Sequence, residues 1–226
     1  MAVVGLIPAA GHGTRLGRLE GSKEVQFVRG KPVIEYLIER MIRAGADRIR
    51  VVIRPQKQDI AAVVRRWGPA EVVVGNPHSA TASIALAAEG LSDSDVALFG
   101  FPDTIWSPVD GFVRLRQLVE DGEELALGVF ESPYPARSDV VVLDPDGRVA
   151  RIDVKPEAPS TDRVWACGAA RTATLRDLTT SRELGAAMSE RANDRPIAAA
   201  LLGRVIDIGT PEALGAAAED AVFGEN

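Results

Sequence analysis

The chain has 226 residues, 46% hydrophobic and 26% charged, enough for a substantial core in one large domain or two small ones. A formal net charge of −6, from 26 basic against 32 acidic residues, argues against a nucleic-acid binder, so an anionic small substrate needs local cations or a metal. The lone Cys167 excludes an internal disulfide or thiolate zinc cluster, and no apolar run nears the ~20 residues of a membrane span, so a cytoplasmic protein with no membrane partner is expected.

In chain order, residues 3–7 read as a strand buried on both faces, interrupted by Gly5 and closed by Pro8, unlike a signal peptide. Residues 33–44 carry Val33, Ile34, Leu37, Ile38, Met41 and Ile42 at i, i+3/i+4 spacing and end on Ala44-Gly45, which predicts a helix. Strands are predicted over 49–53, 71–74, 96–101 and 125–130, with helices over 56–67, 80–89 and 109–120. Past residue 131 the character shifts. Segments 140–143 and 149–154 flank the turn Asp144-Pro145-Asp146-Gly147 as a hairpin. A strand at 164–170, two helical segments, a strand at 205–208 and a helix at 211–221 complete the chain. Alternating strands and helices imply parallel pairing and right-handed crossovers. The fold class is therefore α/β: a three-layer α/β/α sandwich with a mostly parallel, Rossmann-like mixed sheet and a small β-hairpin extension. No repeat or linker divides it, so residues 1–226 are expected to form a single domain.

In open α/β sheets ligands sit beyond the carboxyl ends of the strands. The first such end, Pro8-Ala9-Ala10-Gly11-His12-Gly13-Thr14-Arg15-Leu16, begins like a dinucleotide fingerprint. However, Leu16 stands at the third glycine, and Arg54 ends the next strand where a ribose-binding acid is needed. Gly17-Arg18-Leu19-Glu20-Gly21-Ser22-Lys23 misses the spacing of a kinase-type phosphate loop. What remains is a bare loop able to approach a flat base and cradle phosphate, with Arg15 as a fixed cation and Lys23 eight residues on. A glycine-rich turn with two solvated cations is the plainer alternative. Asp103 and Asp207 each follow an apolar strand, as an oxygen-seeking Mg²⁺ would require, or serve as turn and capping residues.

The run from Leu6 to Leu16, then Ser22-Lys23-Glu24 and Gly30-Lys31-Pro32-Val33-Ile34-Glu35-Tyr36, resembles the signature of the sugar-phosphate nucleotidyltransferases. Gly100-Phe101-Pro102-Asp103, Val154-Lys155-Pro156, Trp165-Ala166-Cys167-Gly168 and Ile206-Asp207-Ile208-Gly209-Thr210-Pro211-Glu212 are similar to further motifs of that family, in order. The resemblance spans essentially all 226 residues, and no left-handed β-helix of the bifunctional acetyltransferase relatives is expected. It implies a nucleotide-binding half over about 1–131 and an acceptor-binding half over about 132–226. The implied reaction joins a nucleoside triphosphate to a sugar or cyclitol phosphate and releases pyrophosphate.

By this resemblance Arg15, Lys23 and Asp103 are catalytic, and Asp103 and Asp207 hold Mg²⁺. Ala9, Ala10 and Gly11 meet the base, and the Gly13 and Thr14 amides meet the triphosphate. Asn76, Ser79, Thr81 and Ser83 are base-side candidates. Lys155 holds the acceptor phosphate, with Trp165, Gly168 and Asp139 around the acceptor. The chain departs from the family at Val154, where a glutamate is usual, and at Ser138-Asp139, in place of a Tyr-Gly pair. The base-side loop Gly75–Ser83 also lacks a glutamine to read a pyrimidine. Base and acceptor therefore stay open, as does monomer or homo-oligomer. A cytidylyltransferase acting on phosphocholine or another phosphorylated alcohol is the alternative. A non-catalytic sugar-nucleotide binder would have lost these cations and acids. His12 and His78 read as polar loop residues, Cys167 as a small buried residue, and Trp67, Trp106 and Trp165 as core or pocket wall.

Overall fold

The pleat of the first strand sorts the core into two layers. A computed structural model describes residues 1–11 and 21–219 of the chain. In chain order the elements are β1 (Val3–Pro8), β2 (Phe27–Val28), β3 (Lys31–Pro32), α1 (Val33–Arg43), β4 (Arg48–Ile53), α2 (Gln58–Val64), β5 (Ala70–Val74), α3 (Ala80–Ala87) and β6 (Val96–Gly100). Then follow β7 (Thr104–Trp106), α4 (Gly111–Glu120), β8 (Leu125–Glu131), β9 (Val140–Leu143), β10 (Val149–Asp153), β11 (Arg163–Arg171), α5 (Thr172–Thr179), α6 (Leu184–Asp194), β12 (Ala198–Asp207) and α7 (Pro211–Glu219). β1 turns Val3 and Ile7 to one face and Val4 and Leu6 to the other, and both faces are covered.

The main sheet runs β5-β4-β1-β6-β11-β8-β12-β7, with the β9–β10 hairpin attached through β11. Pairing is parallel from β5 through β6 and between β8 and β12. β11 runs antiparallel between β6 and β8, which makes the mostly parallel sheet mixed. Ile34, Leu37, Ile38 and Met41 of α1, Ile60 and Val64 of α2, and Phe112, Leu115 and Val119 of α4 cover one face. Ile84 of α3, Leu175 and Leu178 of α5, and Leu184 and Met188 of α6 cover the other, completing the three-layer sandwich. A third cluster seats Ala213 and Ala217 of α7 on Val28, Tyr36, Ile105 and Ile206. Gly45, at φ 77°, ends α1 in the left-handed conformation its sequence signal predicts. None of the described helices is long and apolar enough to cross a membrane.

Five elements differ from the sequence pattern. β12 begins at Ala198, not at 205: Ala198-Ala199-Ala200-Leu201 favours a helix by propensity, but pairing with Ala126–Val129 of β8 overrides it. Past a register shift between Leu201 and Arg204, β12 moves on to pair with β7, placing Asp207 opposite Thr104. α2 is shorter than the predicted 56–67, as Gly68-Pro69 turns the chain into β5. β2, β3 and β7 have only two or three residues each, too few to show a period.

Gly168 lies in β11 over the Phe99 ring, where an added Cβ would sit 2.3 Å from the ring carbon Cζ. Gly168→Ala is expected to destabilise the fold by about 1–3 kcal/mol, read as a lower urea midpoint at unchanged m-value.

Candidate active site

Strand order sets the order of side chains across one cleft. Its cavity of about 350 Å³ lies beyond the carboxyl ends of β1, β4 and β6 and beside the start of β11. β11 is antiparallel, so its first residues, not its last, stand level with the end of β6: Cys167 pairs with Gly100. Trp165 therefore reaches the cleft, while Gly168, one register step deeper at Phe99, does not. Gly168, which the sequence reading places around the acceptor, packs over the Phe99 ring outside the cavity lining.

At the centre, Lys23 is ion-paired with Asp103, and Asp207 lines the cavity with them. Burial alone would depress the Lys23 ammonium, but Asp103, with smaller help from Glu24 and Asp207, carries it above its ordinary value, so it stays charged. The two aspartates meet because β7 returns antiparallel to β12. The Ile208 N–H donates to the Asp103 carbonyl (2.9 Å), and the Gly209 N–H donates to Asp207 Oδ1 (2.7 Å). Arg40, buried under α1, donates to the Trp106 carbonyl (2.5 Å) and stacks 4.7 Å from the Trp106 ring, anchoring β7 behind Asp103. Burial pulls that guanidinium down to about 10.

Lys23 sits on a 3-10 turn, Lys23–Val25, whose neighbours on both sides are gripped by the start of α2. Ser22 donates its N–H (2.6 Å) and hydroxyl (3.0 Å) to Asp59. Glu24, fully buried, accepts both 2.9 Å and 3.0 Å bonds from Lys57 Nζ, which also donates to the Ala9 carbonyl at 3.1 Å. Burial raises the Glu24 carboxyl above its ordinary value despite the opposing pull of Lys57. Asp59 ends below its ordinary value: its partial burial is outweighed by the Ser22 bonds.

On the side of β1 and β4, Ala10 and Gly11 line the cleft. Ala9 is wholly buried behind them, its N–H on the Val52 carbonyl. Arg54 joins the two loops of this wall, donating to the carbonyls of Ala10 (2.8 Å) and Pro77 (2.8 Å). Ser79 caps α3, accepting from the Ala82 N–H (3.0 Å), and with His78, Thr81 and Ser83 it faces the cavity. Asn76 is outside the lining and receives Arg54 Nη1 at 3.4 Å. His12, Gly13, Thr14 and Arg15 lie outside the described residues.

On the far side stand Lys155, Trp165, Asp139, Arg137 and Glu183. Trp165 packs on Phe101 at 5.2 Å between ring centroids. Lys155 holds φ 43°, strained for a residue before proline. Burial raises the Asp139 carboxyl; the Lys155 charge and the Trp165 indole N–H oppose it, while Glu183 adds to it. Gly185 leaves room for that carboxylate, since a Cβ there would fall 2.3 Å from its Oδ2. Val154 is exposed and Asp153 is ion-paired with Arg151 at 2.7 Å. Sequence reasoning missed Glu24, Lys57, Asp59 and Glu183. Only Glu24 had a visible cue, an acid beside Lys23, and its partner lies 33 residues on.

Asp103 and Asp207 are hard oxygen donors, and no cluster of three or more histidine, cysteine or acidic side chains occurs among the described residues. That donor set fits Mg²⁺, which takes one or two carboxylates and completes its shell with water and phosphate, better than a zinc cage.

Residues 5–195 match the family model for the MobA-like NTP transferase domain. The Azorhizobium caulinodans bifunctional protein GlmU is 31% identical over 168 residues, covering 73% of this chain and 37% of that protein. The Haloferax volcanii low-salt glycan biosynthesis nucleotidyltransferase Agl11 is 27% identical over 167 residues, 70% of this chain and 46% of its own length. The chain thus spans less than half the length of these relatives. A Bacillus anthracis structure bearing the name glucose-1-phosphate thymidylyltransferase, solved with sucrose, superposes with a TM-score of 0.86 at 16% identity, covering 99% of this chain and 98% of the other. A UDP-glucose pyrophosphorylase bound to UDP-glucose gives 0.82 at 15% identity, covering 96% and 97%. These structures share the fold.

The raised Asp139 carboxyl has a consequence for stability. It keeps its proton to higher pH in the folded chain than in the unfolded one, so stability falls as pH rises through that interval. Asp139→Asn is expected to be more stable than the parent near neutral pH, the gap closing below about pH 4. Thermal unfolding across pH checks it; a gap that widens in acid contradicts it.

Proposed function

The chain belongs to the MobA-like NTP transferase family, and from that premise we propose that it joins a nucleoside triphosphate to a sugar or cyclitol phosphate, giving a nucleoside diphosphate sugar or its cyclitol analogue. The observation that carries this reading is Lys23 against Asp103, with Asp207 beside them, between a bare nucleotide-side loop and a wall holding Lys155.

An acceptor phosphate oxygen bonds to the α-phosphorus, the bond to the β-phosphate bridge breaks, and pyrophosphate leaves with that electron pair. The nucleophile is already an anion, so no general base is needed. The protein's task is to hold repelling phosphates in line and offset charge as it develops. Lys23 stands where the α-phosphate and the incoming phosphate approach, and Lys155 steadies the acceptor phosphate. Arg15 braces the departing pyrophosphate and the Gly13 and Thr14 amides cradle the triphosphate, as their motif implies. Ala10 and Gly11 offer a flat backbone surface to the base, with Ser79 and Thr81 within the same wall. Trp165 and Phe101 give the acceptor an apolar face, and Asp139 accepts from its hydroxyls. Mg²⁺ held by Asp103 and Asp207 would supply Lewis-acid neutralisation of the phosphates.

A second reading rests on Asp139 and Glu183 beside the Trp165 ring, two acids and an aromatic face that an ammonium group would also satisfy. Its acceptor is a phosphorylated amino alcohol such as phosphocholine.

A matrix of five nucleoside triphosphates against sugar, cyclitol and alcohol phosphates with Mg²⁺, monitored by pyrophosphate release, decides between them. Asp103→Asn and Asp207→Asn are each expected to lower kcat at least 100-fold, about 2.7 kcal/mol of transition-state stabilisation, with little change in melting temperature. Full activity in either variant removes that residue from the site.

A further inference from the structure

We propose that the first turn of α2 is a clamp that aims Lys23: Lys57 and Asp59 are positioning residues for the transfer reaction, acting through Glu24 and Ser22. The two residues flanking Lys23 are held by Asp59 in that turn and by Lys57, the N-cap just before it. Ser22 is bound twice by Asp59, at 2.6 Å and 3.0 Å. Glu24 is bound twice by Lys57, at 2.9 Å and 3.0 Å. Both flanking residues are drawn to α2, and Lys23 between them meets Asp103 from the other side of the cleft floor. Gly21, at φ 85°, brings the chain into this grip, and a Cβ there would lie 3.0 Å from Asp59 Oδ2.

Lys57 has a second load. Its ammonium also bonds the Ala9 carbonyl at 3.1 Å, so one buried cation fixes both the turn that carries Lys23 and the strand end that leads into the nucleotide-side loop. A bifurcated pair sealed from water is a stiff joint, because every proton and lone pair it uses is already committed. A long lysine side chain on a loop would otherwise sample many rotamers, and misplacement by 1 Å costs about 100-fold in rate. The assignment to catalysis rests on the reading of Lys23 as the residue that meets the phosphates.

The test compares Lys57→Met, Asp59→Ala and the double variant Glu24→Gln/Lys57→Met. Asp59 is only partly buried, so its loss leaves no unpaired buried charge and the fold is retained. Two readouts are taken on the full chain. In the first, Lys23 acetylation by a limiting reagent is followed by peptide mass spectrometry. The clamp predicts at least fivefold faster labelling of Lys23 in Lys57→Met and Asp59→Ala, with the labelling of Lys31 unchanged. In the second, kcat is expected to fall at least tenfold in both, with triphosphate KM within threefold. The double variant removes both buried charges and is expected to recover the melting temperature lost in Lys57→Met without recovering kcat. Unchanged Lys23 labelling in a folded Asp59→Ala overturns the clamp, as does a kcat that returns with stability in the double variant. Faster labelling in a chain that transfers nothing to any acceptor would uphold the clamp and overturn the catalytic reading instead.

Discussion

A single buried ammonium ties the working parts of this molecule together. Lys57 Nζ spends its three protons on the Glu24 carboxylate and the Ala9 carbonyl, linking the end of β1, the turn that carries Lys23 and the start of α2. Glu24 has no exposed surface, so removing either charge would strand the other in a low-dielectric interior at about 3–5 kcal/mol. Such a pair adds little net stability over well-packed hydrophobic residues of the same volume. Its use is directional: it ties the end of β1 to the turn that carries Lys23. Arg54 and Arg40 do comparable work with backbone carbonyls as partners. Arg54 couples Ala10 to Pro77 across the nucleotide-side wall, and Arg40 fixes the Trp106 carbonyl behind Asp103.

The topology explains why those local devices meet in one cleft. Parallel strands β4, β1 and β6, adjacent in the sheet, bring Arg54, Ala10 and the Asp103 loop side by side at one edge. The opposite wall is reached by reversing direction. β11 enters antiparallel and presents its beginning, Trp165, at that edge. β12 shifts register after Leu201 to leave β8 for β7, which carries Asp207 toward Asp103. A strictly parallel sheet would deliver every strand end to the edge but would not fold the last aspartate back beside the earlier one.

Much of this was legible in the sequence, for reasons that differ by element. The α1 stripe and its Ala44-Gly45 cap are local signals, and local geometry follows them. That Asp103 and Asp207 line one cavity could be anticipated because each follows an apolar strand, and clefts in α/β sheets open at strand ends. The bulge between Trp165 and Cys167 leaves Gly168 on the same face as Trp165, but Gly168 lies deeper along β11 and packs over Phe99, a depth that spacing does not reveal. β12 was read too short because its alanine-rich start has helical propensity that only pairing with β8 overrides. Glu24, Lys57 and Asp59 could not be found from spacing at all. Their pairing spans 33 and 37 residues and exists only once α2 has packed beside Ser22 and Glu24.

On the proposed function the cleft takes polyanions in a chain of net charge −6, and its cations stand beside carboxylates. Lys23 faces Asp103, Lys57 faces Glu24, and Lys155 acts on Asp139. The Lys23 and Lys57 ammoniums lose most of their water during folding, when a carboxylate of the protein compensates each, whereas Lys155 stays exposed. On that reading a phosphate arriving at Lys23 would exchange one anion for another and would not have to desolvate a free ammonium. Preorganisation of this kind moves the unfavourable part of binding into the folding step, where the whole sheet shares it. It also separates two classes of lysine. Lys57 is wholly committed to the protein, whereas Lys23 and Lys155 line the cavity and can change partners. The committed cation is what keeps the exchangeable one in place.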